Sequence, residues 1–95
     1  MKDLIWSPLA DEDLDNVIEY LLTNWSIKIA AKFLEVLYKQ IDKIIVHPKH
    51  FPMVYGIKNY RKCVITKHNA LFYKEFENSI LILQIFDTRQ NPKKF

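Results

Sequence analysis

Three runs rich in β-branched and aromatic residues follow one another near the C-terminal end of the chain. They are Arg61 to Ile65, Ala70 to Phe76 and Ile80 to Phe86, with only Thr66-Lys67-His68-Asn69 and Glu77-Asn78-Ser79 between them. Runs of this length, separated by short polar turns, make an antiparallel meander. Side chains alternate by face along each run. Arg61, Cys63 and Ile65 share one face of the first strand, opposite Tyr60, Lys62, Val64 and Thr66. In the second, Leu71 and Tyr73 lie opposite Phe72, Lys74 and Phe76. Ile80 to Ile85 is apolar on both faces apart from Gln84, which predicts a central strand. A sheet of this kind needs a cover for one face, and the residues before Asn59 read as that cover.

The cover begins with a short strand, Leu4-Ile5-Trp6, and an N-cap at Ser7. Pro8 occupies the first helical position, where its missing N–H costs nothing. Leu14, Val17, Ile18, Leu21 and Trp25 recur at helical spacing, so this helix buries one face. Asp11, Glu12 and Asp13 sit near its positive end and complement the dipole. Asn24-Trp25-Ser26 breaks the helix, and Ser26 caps a second one. Ala30, Leu34, Leu37, Ile41, Ile44 and Ile45 trace its apolar stripe over about twenty residues. Phe33 and Tyr38 lie off that stripe, which points them at the sheet or at a partner. Pro48 ends the helix by excluding the α conformation at His47. The short link predicts an antiparallel helical hairpin. Residues 47–58 are irregular, with Phe51, Met53 and Tyr55 expected to plug the end of the core and Gly56 to form a turn. Leu34 and Leu83 are expected among the core leucines. The pattern is α+β, in the order β-α-α-β-β-β.

Ninety-five residues make a single domain, 1–95, with one core. A single cysteine, Cys63, excludes an internal disulfide and suits a reducing compartment. The longest apolar runs fall far short of a bilayer span, so a soluble cytoplasmic protein without membrane contact is expected. The formal net charge of +3 is unevenly spread. Residues 1–20 carry six acids against Lys2, whereas residues 56–95 carry eight lysines and arginines against three acids. The sheet end is basic and favours an anionic partner. His47 and His50 have no companions at zinc-like spacing, so no metal and no cofactor are expected. Nor is there a glycine-rich phosphate loop.

Taken in order, these segments resemble the RelE/ParE toxin superfamily, the toxin half of type II toxin–antitoxin modules. The resemblance covers nearly the whole chain. It rests on Ile5-Trp6-Ser7 followed by Ala10 to Leu14, on Ile18-Glu19-Tyr20-Leu21, on Phe33 and on the Pro48 to Pro52 segment. Tyr60-Arg61-Lys62-Cys63-Val64, Leu71-Phe72-Tyr73 and Ile82 to Arg89 complete it. The resemblance implies a helical hairpin on a small, mainly antiparallel sheet. It also implies a cognate antitoxin, docking at the exposed edge of hairpin and sheet.

The superfamily divides by target. Its ribosome-dependent branch cuts messenger RNA without metal, which requires proton-transfer groups and cations close together. Some of those relatives place an arginine where this chain has Asn69-Ala70-Leu71, and a tyrosine or histidine where it has Gln90-Asn91-Pro92. The resemblance therefore implies the other branch, which is similar to ParE and poisons DNA gyrase by binding, with no catalytic constellation of its own. Arg61, Lys62, Arg89, Lys93 and Lys94 are the candidate target-binding residues. An mRNA interferase is the alternative, with Lys67, His68, Tyr73 and Arg89 as its candidate catalytic set; Tyr73 matches a frequent aromatic position of the family and is equally suited to the core. A basic nucleic-acid-binding module is a further alternative that explains the charge alone.

Overall fold

The computed structural model describes residues 2–54, 56 and 59–87. Its elements run β1 (Asp3–Trp6), α1 (Pro8–Asn24), α2 (Ile27–Val46), β2 (Tyr60–Thr66), β3 (Asn69–Glu75) and β4 (Ser79–Asp87). The sheet order is β1-β4-β3-β2. β2, β3 and β4 form the predicted antiparallel meander, and β4 is central as its two-sided apolarity requires. β1 joins it in parallel, Asp3 opposite Ser79 and Trp6 opposite Ile82. Ser7 accepts from the N–H of Ala10 and Ser26 from that of Ile29, so each serine caps its helix as expected.

The two helices cover one face of the sheet. Phe33, Leu37, Ile41 and Ile44 of α2 meet Cys63, Ile65, Leu71, Tyr73, Ile80, Ile82 and Ile85 in one buried cluster. Ala10 is the fully buried residue of α1, with Leu14, Val17, Ile18 and Leu21 packed around it. Phe33 belongs to this core. Tyr38 stays half-exposed, and so does Met53, which pairs its backbone with Arg61 instead of plugging the core. Phe51 does pack against the cluster; Tyr55 lies outside the described residues. Gly56 takes φ +82, a left-handed turn conformation.

β4 departs from simple alternation. Phe72 faces Gln84 but Tyr73 faces Ile82, so Leu83 is an extra residue in the ladder, a β-bulge. Counting by twos from Ile80 would bring Gln84 to the helices. The bulge brings Ile85 there instead, and Gln84 opposes Phe72 on the other face. Leu83, expected in the core, is therefore only half-buried and lies outside the cluster, while Leu34 packs against it.

The bulge lies where β1 has already ended, leaving the adjoining edge of β4 without a strand. The start of α1 takes over. Ser7 donates its N–H to the Ile82 carbonyl at 3.0 Å and its Oγ to the Leu83 carbonyl at 2.8 Å. Asp13 Oδ2 accepts from the Ile85 N–H at 2.9 Å. Burial raises the Asp13 pKa; the Ile85 N–H opposes that shift and neighbouring Glu12 adds to it. The sequence places Asp13 as a dipole complement only, and its role as a stand-in strand partner comes from the fold.

Leu37→Ala and Ile82→Ala, at fully buried positions, are each expected to cost about 2–5 kcal/mol in a denaturant titration. Leu83→Ala is expected to cost clearly less than either. Because the folded state holds the Asp13 proton more tightly, its contribution is present at low pH and is lost as pH rises through the folded pKa. Asp13→Asn keeps an oxygen for Ile85 without the charge. It is expected to melt at or above the parent temperature at pH 7, with Asp13→Ala below both.

Candidate functional site

Segment 47–54 leaves α2 at Pro48 and runs beside β2, held almost entirely through its backbone. The Lys62 N–H donates to the Pro52 carbonyl at 3.0 Å and the Val54 N–H to the Tyr60 carbonyl at 2.8 Å. Arg61 Nη1 donates to the Lys49 carbonyl at 3.2 Å and the Phe51 carbonyl at 2.7 Å. Tyr73 Oη donates to the Pro48 carbonyl at 2.5 Å, and its ring meets Phe51 edge-on at 6.2 Å. With its carbonyls so occupied, the segment turns polar side chains outward. His47, Lys49 and His50 line an open groove with Val46, Pro48 and Glu75. A second hollow beside it is lined by Lys49, Met53, Asn59, Arg61 and Glu75. Glu75 pairs with Lys2 Nζ at 3.5 Å, which offsets its charge.

This arrangement separates the predicted catalytic residues. Tyr73 is fully buried, its one proton committed to Pro48. Burial pushes its pKa well above the ordinary tyrosine range, outweighing the opposing pull of Arg61. Lys67 and His68 form the β2–β3 turn, where the His68 N–H donates to Thr66 Oγ1 at 3.2 Å. Asn69 begins β3 opposite Asp87. Tyr73 lies four residues farther along that strand, about 13 Å away, and its hydroxyl engages segment 47–54 instead. Thus Lys67 and His68 share one end of the sheet with the end of β4, and Tyr73 does not join them. Arg89, Lys93 and Lys94 lie outside the described residues. Burial pushes the Cys63 thiol up to about 11, against the pull of Lys43, so it stays protonated at neutral pH.

The target-binding candidates also divide. Arg61 is half-buried and holds two carbonyls. Lys62 lies on the sheet face away from the helices, 5.8 Å from the centre of the Phe86 ring, with Phe86 itself 4.7 Å from Phe72. Lys74 lies 5.2 Å from the Phe76 ring. That face presents ammonium groups supported by aromatic rings, suited to an anionic surface. Sequence reading missed the groove at His47, Lys49, His50 and Glu75, because Glu75 comes close only through the β2–β3 pairing. Among the described residues no group of three or more His, Cys, Asp or Glu side chains could hold a metal ion, and no helix is long and apolar enough to cross a membrane.

Tyr73→Phe strands the Pro48 carbonyl and is expected to cost about 1–3 kcal/mol. An unfolded tyrosine ionises near pH 10, whereas the folded Tyr73 ionises higher. Its contribution is therefore whole below about pH 10 and is lost as pH rises further toward the folded value. The alkaline decline in melting temperature is expected to be shallower in Tyr73→Phe.

Among solved structures, the chain is similar to the chromosomal ParDE toxin–antitoxin system from P. aeruginosa. The TM-score is 0.76 at 18% identity, covering 92% of this chain and 96% of that one. It is similar to a YoeB dimer from Staphylococcus aureus, with TM-score 0.66, 18% identity and coverage of 90% and 94%. The E. coli DinJ–YafQ complex gives 0.64 at 12% identity, with coverage of 94% and 96%. Comparison with curated proteins finds no match. At these identities the structural likeness speaks for the fold alone. The family model described as the ParE toxin of the type II toxin–antitoxin system, parDE, matches residues 4–92, and on that match the chain belongs to the ParE toxin family.

Proposed function

We propose that this toxin inhibits growth by binding and poisoning DNA gyrase. The observation that carries the reading is Tyr73: the aromatic residue of the candidate catalytic set is sealed in the core, about 13 Å along β3 from the turn holding His68. A toxin that acts by binding needs no such set. Its requirement is a cationic surface, for which Lys62 on the sheet face away from the helices, with Arg89, Lys93 and Lys94 after β4 in sequence, supplies the charge. Arg61 supports that surface indirectly by fixing segment 47–54.

The alternative is ribosome-dependent messenger cleavage. In its favour, Lys67 and His68 stand at the end of the sheet where β4 finishes, two residues before Arg89. A plain nucleic-acid-binding module accounts for the charge but not for a family match across residues 4–92.

The partner in either case is a cognate antitoxin. Segment 52–54 pairs with part of the free edge of β2, and Gln40 donates to the Val64 carbonyl at 2.7 Å. β1 ends the sheet on the other side, with half-exposed Ile5 and Leu9 beside it. A disordered antitoxin segment adds there as an extended strand, anchoring apolar side chains against those two residues.

Two assays run side by side test the target. The purified toxin is expected to stall gyrase-driven supercoiling and leave ribosome-bound messenger intact. Arg89→Ala is expected to lose at least ten-fold of the gyrase inhibition while keeping its melting temperature. Messenger cleavage with normal supercoiling would replace this reading by the nuclease one.

A further inference from the structure

The turn joining α1 to α2 carries a group of apolar side chains that the fold leaves in water. Trp25 is 66% exposed, Ile27 78%, Leu22 48% and Ile29 44%. These large side chains fall within eight consecutive residues, at the end of the hairpin where α1 stops and α2 starts. Isolated exposed apolar residues are ordinary, whereas a concentration of this kind marks an interaction surface.

The charges beside the turn indicate what covers it. A helix start favours acidic side chains and a helix end basic ones. α2 has no acidic residue in its first turn and carries Lys28 there. α1 has no basic residue in its last turn, and Glu19 lies just before it. Glu19 and Lys28 are both exposed, and neither forms an ion pair among the described residues. A surface bearing an unpaired acid on one helix and an unpaired base on the next is complementary to itself about a two-fold axis. Such an axis brings Glu19 of one copy to Lys28 and the α2 start of the other, and repeats the contact in reverse.

We infer that the α1–α2 turn is a self-association surface whose occupant is a second copy of this chain. Trp25 and Ile27 form its dry centre, and two reciprocal Glu19–Lys28 pairs form its rim. Taking about 200 Å² for each large side chain, the four apolar residues offer about 500 Å² per copy. A pair then buries about 1,000 Å², the lower limit for a specific interface. The dimer is accordingly at the small, reversible end of specific interfaces. The surface is carried by residues separate from β1 and from the cationic sheet face, so it stands whichever target the toxin has.

Sedimentation equilibrium of the full chain from 1 to 500 μM is the test, paired with tryptophan fluorescence. The chain has two tryptophans, and Trp6 already packs against the core. Dimerisation is expected to shift emission to shorter wavelength along the same concentration curve, and Trp25→Phe is expected to abolish the shift. Ile27→Glu puts an acid in the first turn of α2, which suits that helix, so the variant folds; it is expected to weaken association at least ten-fold. Glu19→Lys is expected to weaken it similarly, and Glu19→Lys with Lys28→Glu to restore it. A monomer at every concentration, or a dimer indifferent to Ile27→Glu, overturns the inference. So does a Trp25 shift that appears only on adding antitoxin, which would assign the surface to that partner. A double charge swap that fails to restore association overturns the two-fold arrangement.

Discussion

β1 stops at Trp6, but β4 continues to Asp87, and the rest of the molecule is arranged around that difference in length. A central strand cannot leave backbone N–H and carbonyl groups unpaired against an apolar layer without a cost of about 1–3 kcal/mol each. The chain meets the requirement with the residues that start α1. Ser7 caps the helix through Ala10 and, with the same hydroxyl, donates to Leu83. Asp13, two turns into the helix, takes the Ile85 N–H. These contacts fix where α1 begins, how it lies on β4 and which of its faces meets the core. The bulge at Leu83 belongs to the same solution, since it turns Ile85 inward beneath the helix.

A second set of contacts works at the other side of the sheet. There Arg61 and Tyr73, residues whose chemistry could serve a reaction, hold carbonyls of the segment that follows α2. A guanidinium has several donors in a fixed fork and bridges two carbonyls readily. The phenol gives its single proton to a third. The result is an irregular segment tied to the sheet through its carbonyls, with its imidazoles and Lys49 turned to solvent. Neither Arg61 nor Tyr73 is left free at the surface, so the proposed contacts fall elsewhere: on the sheet face with Lys62, at the turn of Lys67 and His68, and at the tip of the hairpin.

Much of this was legible in the residues. Ser7-Pro8 and Ser26 marked both helix starts to the residue, because capping is a local interaction. Pro48 marked the end of α2, and the two-sided apolarity of Ile80 to Ile85 identified the central strand. Trp25 continued the apolar spacing of α1 but falls at the C-cap, where the chain leaves the helix, and is exposed; the other misplaced residues share a cause, which is that pairing between distant segments decided them. Leu83 was assigned to the core because alternation is the default in a strand, and no local signal announces a bulge that neighbouring β1 makes useful. Met53 looked like a core plug because its backbone partner Arg61 is invisible in sequence. Tyr73 matched an aromatic position of the family, yet sequence could not decide between core and surface; the Pro48 carbonyl decided it. Arg89, Lys93 and Lys94 lie beyond the described residues, so their part rests on charge and family likeness.

The parallel pairing of β1 with β4 also sets a timetable. Ser7 and Leu83 are 76 residues apart, so the contacts that seat α1 are among the most non-local in the chain. At synthesis rates of about 5–20 residues per second, the first helix waits several seconds before its strand partner exists. During that interval the apolar stripes of α1 and α2 have each other but no sheet beneath them. Closing so long a loop adds an entropic cost that local helix formation does not bear. The folded domain therefore arises only once β4 has been made, and until then the helical hairpin stands with its sheet-facing side uncovered.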